Sequence, residues 1–384
     1  MSYTGRMHRW RVLASLAVLT LLTAAAQAQD GVSPRQVLIG QTITLQGGQN
    51  EYGVAVLEGI KAYVDQVNRQ GGVLGRQLVI KVLDDDNKSS QAEANARQLV
   101  TQDKVFLLFG SIEGGPSTAV MKAALDLNVP FFGPMAGSPM LRTPHQPGVF
   151  PVRAEHKAEF RALLAHARSL GVQRVAFLRA DSETGQQHLD NVTRLTQELD
   201  LKLVADLPFK SDVTDAGIDA LVAQLARSQA QMVFNHGGIG VYEKLIRKAR
   251  AQGLNTHFYG VNSGSTQLAK HLAELAHGMI FAQVMPSPWE RKTAVTRAYQ
   301  EAFTRAHADK PFSYGSLEGY VTARALVEAL KLAGPNPTRA SFVASLRNSS
   351  LNIEGLRVNY GDTAHAGLSL VDLSIVTREG SFRH

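Results

Sequence analysis

Val105-Phe-Leu-Leu-Phe109, followed by Gly110-Ser-Ile-Glu-Gly-Gly-Pro-Ser-Thr118, carries most of the structural information in this chain. Five apolar residues in a row, too few for a buried helix and ended by Gly, fit a strand buried on both faces. The Gly/Ser/Thr-rich segment behind it leads into a helical stretch. A strand, a glycine-rich loop and a helix form the repeating unit of parallel α/β sheets.

The same unit recurs on either side. Val37-Leu-Ile-Gly40 reads as a strand, and residues 52–70 repeat Val56, Ile60, Tyr63, Val64 and Val67 at helical spacing until Gly71-Gly72 stops them. Leu78-Val-Ile-Lys-Val-Leu83 is the next strand, with Asp84-Asp-Asp86 expected as a solvated acidic turn, and residues 89–102 form the next helix. Val129-Pro-Phe-Phe132 is a fourth strand. The rhythm restarts near residue 153, with helices at 155–170, 184–199, 218–228 and 242–252 and strands at 172–178, 201–207, 232–234 and 257–260. The fold class is therefore α/β, with two tandem units of parallel-type sheet. Helices at 291–308 and 315–333 and short strands at 355–360 and 369–376 are too little for a third unit, so they complete the first two.

The 384 residues carry 40 Lys and Arg against 33 Asp and Glu, and no Cys. Disulfides, thiolate metal sites and a cysteine nucleophile are excluded. Arg6, Arg9 and Arg11 precede an apolar run over 12–26 and Ala26-Gln27-Ala28, which is the form of a secretory signal with cleavage after Ala28. Without residues 1–28 the net charge falls from +7 to +4. The remaining charges are interspersed and no basic block carries aromatics, so a nucleic-acid partner is not expected. No later segment is apolar and long enough to span a membrane.

Ligands of parallel α/β sheets bind beyond the carboxyl ends of the strands. Four loops there are rich in small residues: Gln46-Gly-Gly48, 110–118, Met135-Ala-Gly-Ser138 and His236-Gly-Gly238. Each is an ordinary turn or a place where backbone amides approach a ligand. The candidate ligand-binding residues are Gln46, Tyr52, Ser111, Glu113, Gly114, Gly115, Ser117, Met135, Ala136, Gly137, Ser138, Asp181, Thr184, His236, Gly237, Gly238 and Asn262. Tyr52 stacks on a ligand at the cleft mouth or packs on the loop. Asp181 and Glu183 cap a helix or recognise a donor. Arg153, at the junction of the units, pairs with an acid or reaches a carboxylate. No dinucleotide fingerprint, phosphate loop or G-x-S-x-G elbow is present, so no cofactor is expected. The twelve His include no H-E-x-x-H and no regular ligand spacing, so no metal site is expected either.

The chain resembles the leucine/isoleucine/valine-binding proteins of branched-chain amino acid ABC transporters, a type I periplasmic binding fold. The resemblance runs over about residues 35–380 and rests on Tyr52-Gly53, Gly71-Gly-Val-Leu-Gly-Arg-Gln-Leu78, Asp84-Asp-Asp86, the 110–118 loop, Val129-Pro-Phe-Phe-Gly-Pro134 and Tyr259-Gly260. It implies two Rossmann-like lobes joined by three crossovers. Lobe 1 would comprise 35–152 plus 285–355, and lobe 2 153–284 plus 356–384. It further implies a monomeric periplasmic protein that captures a small solute between closing lobes and delivers it to an ABC permease, without catalysis. A ligand-sensing receptor on the same fold is the alternative, and an exported enzyme a weaker third. Family side chains that hold the amino acid fall on Gly114, Gly137, Thr184 and Gly238. The ammonium-holding Glu falls on Asn262, and the lobe 1 disulfide is missing. Extra glycine is expected to enlarge the cavity. The solute is expected to be a carboxylate or amino-acid-like compound other than leucine, isoleucine or valine.

Overall fold

The computed structural model describes residues 30–46, 50–210 and 212–384. The export segment, and Gly47 and Gly48 of the first candidate loop, lie outside the described residues. The elements run β1 (Gln36–Ile43), α1 (Glu51–Arg69), β2 (Gln77–Asp84), α2 (Ser89–Thr101), β3 (Leu108–Phe109), α3 (Gly114–Asp126), β4 (Phe131–Phe132) and β5 (Val149–Phe150). Then follow α4 (His156–Ser169), β6 (Arg174–Ala180), α5 (Glu183–Glu198), β7 (Lys202–Phe209), α6 (Asp215–Ser228), β8 (Met232–His236), α7 (Ile239–Ala251), β9 (His257–Gly260), α8 (Ser265–Leu272) and β10 (Ile280–Gln283). The chain ends with α9 (Ala294–Ala306), α10 (Tyr314–Ala333), α11 (Arg339–Leu346), β11 (Ser350–Ile353), β12 (Leu356–Tyr360), β13 (His365–Gly367), β14 (Asp372–Val376) and β15 (Phe382–Arg383).

Two sheets form two lobes. The first has the order β2-β1-β3-β4-β5 and is parallel throughout. The second has the order β15-β14-β10-β9-β8-β6-β7; it is parallel from β10 to β7, and β14 and β15 add antiparallel pairs. Regular pairing of the Val105–Phe109 run is confined to Leu108 and Phe109, yet Phe106 already donates to the Leu38 carbonyl at 2.8 Å. Both faces of each sheet are covered, as fully apolar strands require. In the first lobe α2 and α3 cover one face, and α1, α9, α10 and α11 the other. In the second, α4 and α5 oppose α6, α7 and α8. Helices α1 and α10 pack so closely that a methyl group on Gly59 would meet the Ser316 carbonyl at 1.8 Å, and one on Gly319 the Val56 carbonyl at 2.1 Å.

The chain passes between lobes three times. The first crossover runs through Arg153. The second follows β10, where the Val284 amide donates to Asn262 Oδ1 at 3.4 Å. The third follows β13, and Leu368 donates to the Val152 carbonyl of the first crossover at 2.7 Å. This differs from the boundary expected at residue 355. Residues 356–367 belong to the small β11-β12-β13 sheet, and Val358, Tyr360 and Leu368 are buried in the first lobe's core. Only β14 and β15 join the second sheet.

Candidate functional site

The carboxyl ends of β3, β4, β6, β8 and β9 bring most of the candidate loops to one junction between the lobes. On the lobe 1 side, Ser111 and Ser117 are fully buried with their hydroxyl oxygens 2.7 Å apart. Met135 donates its amide to the Ser111 carbonyl at 2.7 Å, tying the second loop to the first. Ser138 Oγ is buried and has no hydrogen-bond partner among the described residues. Glu113, before the first residue of α3, has φ +63°, a backbone region that glycine tolerates and a glutamate does not favour. Asn50 donates to its carboxylate at 3.4 Å, and burial pushes the Glu113 carboxyl above its usual range.

The glycines at this junction do not widen it. A methyl group on Gly114 would stand 3.1 Å from the methyl carbon of Thr184, and one on Gly238 would be 2.1 Å from the Phe209 ring. One on Gly137 would be 2.6 Å from both the ring and the amide nitrogen of His156. The expected enlargement is therefore corrected: the space left by missing side chains is taken by neighbours, two of them on the opposite lobe. Gly137 also accepts the His156 amide at 3.0 Å, so the lobe 1 loop caps helix α4 of lobe 2.

Beneath these loops lies a charged network with no solvent exposure. The Arg153 guanidinium donates to Glu159, to Ser263 Oγ at 2.9 Å and to the Ala154 carbonyl at 3.1 Å, and lies 3.7 Å from Glu318. Glu318, on α10, accepts from the Tyr52 hydroxyl at 2.8 Å and from the Asn262 side-chain amide at 2.8 Å. Glu159 Oε2 accepts the Asn262 backbone amide at 2.7 Å. Burial pushes the Glu159 carboxyl up, but Arg153, His156 and the Asn262 amide outweigh it and hold it below the usual range. For Glu318 burial wins over Arg153 and the carboxyl is raised. Residues from both lobes and a crossover thus share one compensated cluster.

A second buried cluster adjoins the first. His156 opens α4, His188 lies on α5 and His236 ends β8. The rings of His188 and His236 have centroids 3.9 Å apart, and His156 is 5.3 and 5.1 Å from them. One ring nitrogen from each of the three lies within 4.8 Å of the others. His156 Nδ1 is 2.8 Å from Glu159 Oε1. Neither nitrogen of His188, nor Nδ1 of His236, has a partner among the described residues. Burial, then the neighbouring imidazoles, drives the pKa of His188 and His236 well below the ordinary histidine range, so both are neutral. This cluster departs from the expectation of no metal-type grouping. The three histidines come from three different elements, so no local spacing pattern announces them.

The candidates divide as follows. Ser111, Ser117, Met135, Ala136, Gly137, Ser138, Thr184, His236 and Asn262 are buried at the junction, with Gly114 beside Thr184 and Gly237 beside His236. Gly115 is exposed, as are Asp181 and Glu183. Tyr52 is fully buried in one core with Ile112 and Met135, and its hydroxyl donates to Glu318. Gln46 lies apart, in a surface groove of about 740 Å³ that also includes Glu51, Lys270, Trp289 and Phe312. The acidic turn is not solvated throughout: Asp85 is buried and accepts from Thr44 at 2.6 Å and Thr42 at 3.3 Å. His156, His188, Glu159 and Glu318 were missed by sequence reasoning. For His156 and Glu159 the available signal was a polar residue at the spacing of the apolar face of Phe160, Leu163, Leu164 and Ala167.

The sequence profile described as a periplasmic binding protein matches residues 36–374. The chain belongs to that family. A Leu/Ile/Val-binding protein homolog 7 of Brucella abortus (strain 2308) is 22% identical over 334 residues, spanning 82% of this chain and 81% of the relative. A substrate-binding periplasmic protein from Ralstonia solanacearum shares the fold with a TM-score of 0.82 at 25% identity, over 90% of this chain and 99% of that one. A solute-binding protein from R. palustris, solved in complex with benzoate, aligns with a TM-score of 0.79 at 17% identity, over 91% and 95%. The fold is that of type I periplasmic binding proteins. Among the described residues no helix is long and apolar enough to cross a membrane.

Proposed function

We propose that this periplasmic binding protein captures a small organic solute, a carboxylate or amino-acid-like compound, between its lobes in the periplasm and delivers it as a monomer to the permease of an ABC importer. The lobes would move about the three crossovers, as hinged binding proteins do. The observation that carries this reading is the set of buried polar atoms left without partners where the lobes meet: Ser138 Oγ on one side, and His188 and His236 on the other. Buried polar atoms in native proteins are nearly always satisfied, and exceptions mark a missing water, ion or ligand. Backbone donors for a carboxylate are close by, at Gly114 and Gly115 and over residues 136–138.

The amino-acid-specific features are weak. Asn262 stands where the family's ammonium-holding acid falls, and its amide is spent on Glu318. Asp181 and Glu183 are exposed, so neither substitutes for that acid at the junction. The fold itself accepts an aromatic carboxylate in the R. palustris protein. A calorimetric panel of aliphatic and aromatic carboxylates, amides and amino acids tests the proposal. Saturable one-to-one binding of a carboxylate is expected. Tight leucine binding with no response to the acids would overturn the ligand class.

A further inference from the structure

The His156–His188–His236 cluster has a use of its own. Structural histidines in a core find acceptors and donors for their nitrogens, because a buried polar atom left unmet loses its hydration without replacement. Here three imidazoles converge, and neither nitrogen of His188 has a hydrogen-bond partner among the described residues. An organic solute reaching in from lobe 1 would satisfy one or two nitrogens, and would not account for three rings turned toward one point.

We propose that His156, His188 and His236 form a binding site for a divalent first-row transition ion, of the Zn²⁺, Ni²⁺ or Co²⁺ class, in the lobe 2 wall of the junction. Imidazole suits these ions, whereas Mg²⁺ and Ca²⁺ take oxygen ligands. The candidate ligand atoms lie within 4.8 Å of one another. Tetrahedral coordination at Zn–N distances of 2.0–2.1 Å needs about 3.3 Å between nitrogens, so each ring must move by roughly 1 Å. Glu159 supplies the outer support that metal-bound histidines usually have: it engages His156 Nδ1 and leaves Nε2 to ligate. Three protein ligands leave a position open. Beside His156 lies the loop of Gly137, whose lack of a side chain lets lobe 1 sit against that ring, and of Ser138, whose hydroxyl is unmet.

The inference deepens the solute-binding reading by placing an ion where the solute would sit, and it can fail independently of that reading. The test is calorimetric titration of the mature, chelator-stripped protein with ZnCl2, NiCl2 and CoCl2, with MgCl2 and CaCl2 as controls. One equivalent of Zn²⁺ is expected to bind, with no response to Mg²⁺ or Ca²⁺. The H188L/H236L variant should bind Zn²⁺ more than about 100-fold more weakly, beyond the loss expected of an outer-support residue. Because that variant changes two core positions, H236Q with unaltered circular dichroism gives a second reading of the same loss. Cobalt should give the intense visible bands of a four-coordinate ion in the wild type only. Absence of a stoichiometric site, or a site undiminished in both variants, overturns the inference. The organic panel is run separately in excess chelator: a carboxylate that binds there leaves the solute reading standing even if the metal site fails. A metal site with no organic binder, with or without Zn²⁺, removes the solute reading alone.

Discussion

Two clusters of buried ionisable groups lie side by side at the lobe junction, built in opposite ways. In one, Arg153 stands between Glu159 and Glu318, and Tyr52, Asn262 and Ser263 hydrogen-bond to these three, leaving Glu318 Oε1 with the Arg153 charge at 3.7 Å and no hydrogen bond. In the other, His188 and His236 face each other at 3.9 Å with nitrogens unmet. The first has what a buried charge needs to remain in a core. The second is short of partners, which is the state of a site awaiting an occupant. Paired charge joins the lobes to the hinge; uncharged imidazoles without hydrogen-bond partners stand at the proposed place of binding.

That contrast can be broken most severely at Arg153. Arg153→Met leaves two carboxylates buried without a cation and should cost about 3–5 kcal/mol of unfolding free energy, read by urea denaturation. A loss below 1 kcal/mol would mean that the cluster is not a structural unit. Tyr52→Phe removes one donor to Glu318 and should cost about 1.5–3 kcal/mol by the same measurement, with solute affinity little changed if Tyr52 is structural. Gly137→Ala pushes a methyl group against His156 and should cost about 1–3 kcal/mol, but it is expected to weaken solute binding as well, because the loop must reseat to accept the change.

On the other side, H188L/H236L removes imidazoles that have no partner to lose. The metal-free variant is expected to unfold within about 1 kcal/mol of the wild type, or to be more stable. A large loss would place these histidines with the structural cluster. His365 supplies the control: a buried imidazole on β13 whose Nδ1 meets the Val149 carbonyl. Burial, with His145 adding to it, lowers its pKa despite that carbonyl. A folded pKa below the unfolded value means the unfolded chain binds more protons, so the stability His365 contributes is present above the usual histidine range and lost as pH falls through its folded pKa. His365→Gln should therefore give a shallower fall of melting temperature on acidification below about pH 6.5, the smallest of the effects.

The architecture was largely legible because it repeats. Apolar runs such as Met232–Phe234 and helical faces such as Val56, Ile60 and Val67 announce their elements by local pattern. Short elements were not: Val149–Phe150 has two residues, and α8 and α11 have eight each, below the length at which periodicity speaks. The third crossover was misplaced because β12 reads as a strand without saying which core receives it. At the site, the glycine-rich loops were visible, while Glu159, Glu318 and His188 were not. Each lies on a helix, and its role depends on residues 103, 56 and 48 positions away, a separation no motif spans.

The central claim is that the unmet polar groups at the lobe junction hold a small molecule. Native mass spectrometry of the protein exported by its host and purified without unfolding tests it most directly. The account predicts a single low-mass adduct per chain on the wild type, absent or strongly depleted on H188L/H236L. An adduct retained at equal occupancy on that folded variant would contradict it.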